Sequence, residues 1–158
     1  MKRRLVLMRH AESPWRSLAS SDHERPLTAQ GRCDAPRVAQ HLVDLGWAPT
    51  ALLSSDAQRT RETWEAMAEC FMHTPTSHFT RALYHAGIEE IWTESHAIAD
   101  AVEVLMVLGH NPGWEQAINA LCGEHEVMTP ASAALLEGEG PDWPSAIRAR
   151  WRLVRIVR

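Results

Sequence analysis

The chain has 158 residues, with 20 acidic side chains against 16 Lys and Arg, and a formal net charge of -4 when histidine is neutral. That length suits a single domain over residues 1–158, able to bury a real core but short for an added substrate domain. The acidic balance excludes a general attraction to nucleic acid, so any positive potential has to be local.

The opening Met1-Lys2-Arg3-Arg4, followed by apolar residues, imitates a signal peptide. Arg9-His10 ends the apolar stretch after four residues, far too soon for an export core. No apolar run approaches bilayer-spanning length. Cys33, Cys70 and Cys122 are odd in number and form no CxxC pair, which argues against a disulfide framework or structural zinc. The expectation is a soluble cytoplasmic protein with no membrane partner.

In chain order, strands are expected near residues 3–8, 50–53, 76–79, 103–108, 133–137 and 151–157. The first, Leu5-Val6-Leu7-Met8, runs into Arg9-His10. Over residues 28–45, Ala35, Val38, Ala39, Leu42 and Val43 recur at helical spacing, with Thr28 to cap the start and Gly46 to end it. Thr50-Ala51-Leu52-Leu53 leads through Ser54-Ser55-Asp56 into a second helix over 57–71, striped by Ala57, Thr60, Trp64, Met67, Ala68 and Phe71. Ile88, Ile91, Trp92 and Ile98 mark a weaker helical pattern. Val104-Leu105-Met106-Val107-Leu108 then delivers Gly109-His110-Asn111-Pro112-Gly113. The Gly/Pro-rich segment 138–144 reads as a surface loop, and the basic tail 148–158 as an edge strand guarded by charge, not a nucleic-acid patch. Alternating strands and helices predict an α/β three-layer sandwich, a mostly parallel central sheet flanked by helices.

Two short apolar runs that each end in histidine predict two buried parallel strands delivering both rings to one sheet edge. That edge is where open α/β sheets bind ligands. Arg59, opening a helix just after a third strand, is expected there too. Arginine forks match phosphate oxygens bidentately, and a neutral imidazole can attack phosphorus. The residues alone therefore point to phosphoryl transfer through a phosphorylated histidine.

Arg9-His10-Ala11-Glu12, Asp22-His23-Glu24-Arg25-Pro26-Leu27-Thr28-Ala29-Gln30-Gly31, the segment 54–63, Leu83-Tyr84-His85-Ala86, the segment 109–113 and Thr129-Pro130-Ala131-Ser132 occur in that order. Together they resemble the histidine phosphatase (phosphoglycerate mutase-like) superfamily, and within it the small SixA-type phosphohistidine phosphatases. Ala11 stands where the family signature Arg-His-Gly has glycine. The resemblance implies a hydrolase that needs no metal and no cofactor. His10 would be its nucleophile, Arg9 and Arg59 its phosphate clamp, and His110 a donor, a cation beside the phosphate, or a proton carrier. Arg25 either reaches the phosphate or serves as a loop arginine paired with Asp22. Asn111 and His85 are further substrate-binding candidates. Trp15 and Trp114 either line the mouth or pack beneath the loops, while Trp64, Trp92 and Trp151 fit core periodicity.

Many relatives that act on phosphate esters carry a glutamate after the third strand. Residues 81–86 offer none, only Tyr84 and His85, with Glu89-Glu90 further along. An alkoxide leaving group needs a delivered proton, whereas a protonated phosphohistidine is already activated, so the gap favours a phosphoramidate substrate. About two dozen residues separate the third and fourth strands, too few for a large lid. The implied partner is a phosphohistidine-bearing protein in signal transduction. The alternatives are a small phosphorylated or pyrophosphorylated metabolite, or a phosphate-recognition module without turnover. No Cys-x5-Arg loop, Walker motif or His-Glu-x-x-His occurs, and His73 and His78 flank Pro75 instead of forming a helical metal pair.

Overall fold

The computed structural model describes residues 1–15 and 18–158. Six strands, β1 (Lys2–Arg9), β2 (Ala51–Ser55), β3 (Thr76–Thr80), β4 (Val104–Gly109), β5 (Ala133–Glu139) and β6 (Arg152–Val157), form one sheet in the order β3-β2-β4-β1-β5-β6. β1 with β4, β2 with β4, and β2 with β3 pair in parallel, while β5 runs antiparallel to both β1 and β6. The expected α/β sandwich with a mostly parallel sheet is the architecture found.

Side chains alternate across the sheet because the strand repeat is two residues. Leu5, Leu7, Leu53, Leu105, Val107 and Leu136 point to one face, against α3 (Ile88–Ser95), α4 (Gly113–Cys122) and α5 (Trp143–Arg148). Val6, Met8, Leu52, Met106, Leu108 and Leu135 point to the other, against α1 (Ala29–Asp44) and α2 (Gln58–Ala68). β1 and β4 are covered on both faces and sit at the centre, which is why they read as unbroken apolar runs. Removing a fully buried side chain there, such as Leu5 to Ala, costs roughly 2–5 kcal/mol.

Thr28 caps α1 as expected, its hydroxyl accepting from the Gly31 N–H. β6 is indeed an edge strand. The expected loop over 138–144 is shorter than read: β5 runs to Glu139 and α5 starts at Trp143. Asp142 caps that helix by accepting the Ser145 N–H, and Pro144 is tolerated because the first helical turn needs no N–H from it.

Candidate active site

The register of β1 on β4 sets the site. Arg9 pairs with Gly109, so His10 and His110 leave adjacent strands side by side, their rings 5.2 Å apart. The His10 backbone is held from two sides: its N–H donates to Gly109 O at 3.0 Å, and its carbonyl accepts from Ala131 at 2.9 Å. Next along the chain, the Ala11 N–H donates to Thr63 Oγ1 on α2.

His10 Nδ1 lies 2.7 Å from the Ala11 carbonyl oxygen. A carbonyl only accepts, so the ring proton is on Nδ1 and the lone pair is on Nε2. Burial pushes the His10 pKa down to about 3, against the Ala11 contact, with Arg59, Arg9 and Arg25 adding to the fall. The imidazole is therefore neutral and nucleophilic at physiological pH.

His110 Nε2 lies 2.8 Å from Ser55 Oγ, at the end of β2. That oxygen already accepts the Ala57 N–H, leaving the hydroxyl hydrogen free for His110 Nε2. The ring proton then falls on Nδ1, a buried atom without a hydrogen-bond partner among the described residues. Burial first, then His10, Arg59 and His85, push the His110 pKa down to about 2, opposed by Asp22. Of the roles open to His110, the neutral donor suits this environment. A cation there requires the counter-charge of a bound anion.

Arginines converge from three elements. Arg9 ends β1 and donates to Met128 O at 2.9 Å; burial lowers its pKa, Glu115 opposes the fall and Arg59 reinforces it. Arg59, in the first turn of α2, is 3% exposed and donates to Asp22 O and Asp22 Oδ2 at 2.8 and 3.2 Å. Arg25 faces Asp22 Oδ1 at 3.5 Å and also contributes to the field at His10. Both readings of Arg25 thus have a structural basis. The Nε atoms of Arg9, Arg25 and Arg59 are all buried without a partner among the described residues. Unpaired buried guanidinium donors are costly, and an anion of phosphate geometry would satisfy them.

Arg59 does not pair with Glu62, which instead takes Arg32 and Gln58. Arg61 stacks over Phe79, 4.7 Å from the ring centroid, and donates to Asp56 O.

Asp22 is the residue whose importance the sequence concealed. It accepts from Arg59 and from the Tyr84 hydroxyl, faces Arg25, and lies 3.9 Å from His85 Nε2. The Tyr84 hydrogen bond draws its pKa below the ordinary carboxylate value; burial opposes this, and Arg59 and Arg25 add to it. Tyr84 in turn stands edge-on to His110 at 5.5 Å and to His23 at 4.9 Å. His23 Nε2 is held by Asp56 at 2.7 Å.

His85 lies at the rim, its side chain 64% exposed, with a backbone φ of 55° in the left-handed region. Such a conformation in a bulky residue costs on the order of 1–3 kcal/mol and places strain beside the site. Asn111 spends its amide N–H groups on Glu115 and Met128 O, each at 2.8 Å, so its visible work is to pin the segment before β5; its Oδ1 is buried without a partner among the described residues. Trp114 is fully buried under Gly109, which rules it out as a mouth residue. Trp15 is 88% exposed, so it does not pack beneath the loops. Neither Glu89 nor Glu90 is free: Arg148 takes Glu89 bidentately at 2.8 Å, and Glu90 accepts the Gly87 N–H at the start of α3.

No group of three His, Cys, Asp or Glu side chains is gathered as a metal site among the described residues. A cleft of about 1090 Å³ opens at the opposite sheet edge, between Arg4, Glu103, Glu137 and Arg152, and contains none of these groups. No helix among the described residues is long and apolar enough to cross a membrane.

The family model for the histidine phosphatase superfamily (branch 1) matches residues 5–82, which contain Arg9, His10, Arg25 and Arg59. An uncharacterised chloroplastic protein of Arabidopsis thaliana is 37% identical over 171 residues, covering 99% of this chain and 78% of its own length. The solved candidate phosphohistidine phosphatase SixA of Agrobacterium tumefaciens is 26% identical with a TM-score of 0.83, covering 99% of this chain and 97% of that one. A protein histidine phosphatase SixA solved with tungstate shares the fold at 20% identity, with a TM-score of 0.79 and coverage of 97% and 95%. The chain belongs to the histidine phosphatase superfamily. It is a phosphatase with the SixA-type arrangement of that fold.

Proposed function

We propose that this phosphatase removes phosphoryl groups from histidine side chains of a protein, through a covalent phosphohistidine on His10. His10 Nε2 attacks phosphorus while Nδ1–H stays on the Ala11 carbonyl; a P–N bond forms to His10 and the P–N bond to the substrate imidazole breaks. Arg9, Arg25 and Arg59 take the non-bridging oxygens, and His110 Nδ1–H donates to one of them, so donors are in place where charge spreads in the transition state. Water then attacks phosphorus on the phosphorylated His10: a P–O bond forms, the P–N bond breaks with its electron pair returning to Nε2, and the released inorganic phosphate keeps both of the water's hydrogens.

The observation that carries the choice of substrate is the state of the carboxylates. Asp22 is held ionised by Tyr84, Arg59 and Arg25; Glu115 accepts from Asn111 and from the Met128 N–H; Glu89 and Glu90 are engaged elsewhere. None is poised to protonate an alkoxide, whereas a protonated phosphohistidine leaves as neutral imidazole without that help. The short β3–β4 connection keeps the mouth open to a protein-borne side chain. A reducing cytoplasm, with Cys33, Cys70 and Cys122 all free, is the setting we assign.

A panel of a phosphohistidine protein, phosphoramidate, an aryl phosphate and an alkyl phosphate tests the reading. The expected order of kcat/KM falls from the first two through the aryl ester to the alkyl ester. An alkyl ester or pyrophosphate turned over best would move the protein to the small-metabolite class.

A further inference from the structure

Resting on that reading, we infer that Asp22 is the specificity-determining residue of the site: its carboxylate receives the distal N–H of the substrate imidazole and so selects nitrogen-bonded phosphoryl groups over phosphate esters.

The site holds opposed charges in contact. Three arginines are brought together with Nε groups that have no partner among the described residues, which suits a phosphate dianion, yet an ionised carboxylate contacts two of them. Toward the phosphoryl group alone Asp22 is a penalty, since like charges in a partly desolvated site repel. If arginine needed only a structural anchor, a backbone carbonyl would serve, as Met128 O serves Arg9. Asp22 O already serves Arg59 in that way.

The geometry offers a use for the charge. In-line attack by His10 expels the leaving group on the side of phosphorus opposite His10, toward the open rim. The rim is built from Asp22, with a side chain 46% exposed, and from Tyr84 and His85. Tyr84 packs against His85 at a tilt of 42°, with ring centroids 3.9 Å apart, and presents its edge to His110. An imidazole entering this rim meets aromatic rings beside one carboxylate.

A phosphohistidine that is ready to react carries its phosphoryl group on one ring nitrogen and hydrogen on the other. When the P–N bond breaks, its electron pair stays on the nitrogen that loses phosphorus, and the distal N–H remains. Asp22 therefore accepts a hydrogen bond without taking a proton. It favours the protonated, activated substrate over the unprotonated one. An ester oxygen offers no such donor and meets only the repulsion.

The test compares wild type, Asp22→Asn and Asp22→Ser on a peptide bearing phosphohistidine and on phenyl phosphate, with thermal unfolding to verify each fold. Because Asp22 lies in an exposed turn (Asp22–Glu24), two replacements give a folded variant to measure. The readout is the ratio of kcat/KM for phosphohistidine to that for phenyl phosphate. It is expected to fall roughly 10-fold or more in both variants, the worth of one hydrogen bond to a charged group.

Competitive inhibition by inorganic phosphate reads the arginines separately. Its inhibition constant is expected to fall in Asp22→Asn, because the repulsion is gone. If instead both substrates lose equally and phosphate inhibition weakens in step, Asp22 only positions Arg59 and Arg25, and the inference is overturned. A wild type that prefers phenyl phosphate defeats the phosphohistidine reading itself, whatever the variants do.

Discussion

His10 and His110 are paired by strand register: each is the first residue beyond the parallel Arg9–Gly109 partnership, and their rings stand 5.2 Å apart at a tilt of 53°. A slip of one residue between β1 and β4 would turn one of the rings to the opposite face, so the buried register holds the chemistry. Both imidazoles are consequently buried beside three arginines, and neither is protonated at neutral pH.

That burial has a cost in acid. An unfolded histidine binds its proton near pH 6.5, whereas His10 and His110 bind theirs near 3 and 2. Between these limits the unfolded chain holds more protons, so stability is complete above about pH 6.5 and declines as pH falls toward 3. Chemical denaturation at pH 7.5, 5.5 and 4 is expected to show this fall. His110→Asn is expected to flatten part of it. A wild-type stability independent of pH through this window would show that the rings are not buried as neutral groups.

Arg59 is expected to be irreplaceable. Arg59→Ala should lower kcat/KM on the order of 100- to 1000-fold, the usual loss when one preorganised donor to a developing oxyanion is removed. Arg59→Lys should recover little, because an ammonium cannot match the planar fork. Steady-state kinetics on phosphoramidate checks both, and a fully active lysine variant would reduce Arg59 to a simple charge.

Much of this site was legible in the sequence because its main parts sit at the ends of apolar strands. Arg9, His10 and His110 could be placed at the ends of their apolar runs, and Arg59 at the start of the helix that opens after a third apolar run. Asp22 and Tyr84 could not. They lie in turns without periodicity, and their meeting depends on how two distant loops pack over the sheet edge. Ser55 looked like one of several polar residues before a helix, and only the register of β2 against β4 brings its hydroxyl to His110. Trp114 was ambiguous because adjacency to a histidine in sequence does not reveal which face the next helical side chain takes. α5 was hidden by a proline that reads as a breaker, yet stands where a helix start accepts it.

Glu89 gives a test of the assignment of acids. Its carboxylate is bound by Arg148, which holds its pKa below the ordinary value by that hydrogen bond, and it points to no reacting group. Glu89→Gln should leave kcat/KM on every substrate within about threefold, well short of the tenfold that about 1.4 kcal/mol of lost transition-state binding would give. Rapid alkyl-ester hydrolysis abolished by Glu89→Gln, Glu90→Gln or His85→Ala would identify a general acid and contradict the account.

Gly113 links α4 to the loop that carries Tyr84 and His85. A Cβ built there would lie 1.7 Å from the Ala86 carbonyl oxygen, and backbone cannot step aside cheaply. Gly113→Ala should cost about 1–3 kcal/mol, the range for overpacking, and lower activity by displacing the rim. Thermal unfolding and kinetics on the same sample check it; an unchanged melting temperature would mean that this close approach is not maintained in solution.

Rapid acid-free quenching of the enzyme during turnover, followed by peptide mapping, reads the covalent route through His10. The covalent route places acid-labile, base-stable phosphate on the peptide that contains His10, and none in His10→Ala, which should fold yet turn over no substrate. Full activity of His10→Ala, or phosphate trapped on another residue, would contradict it.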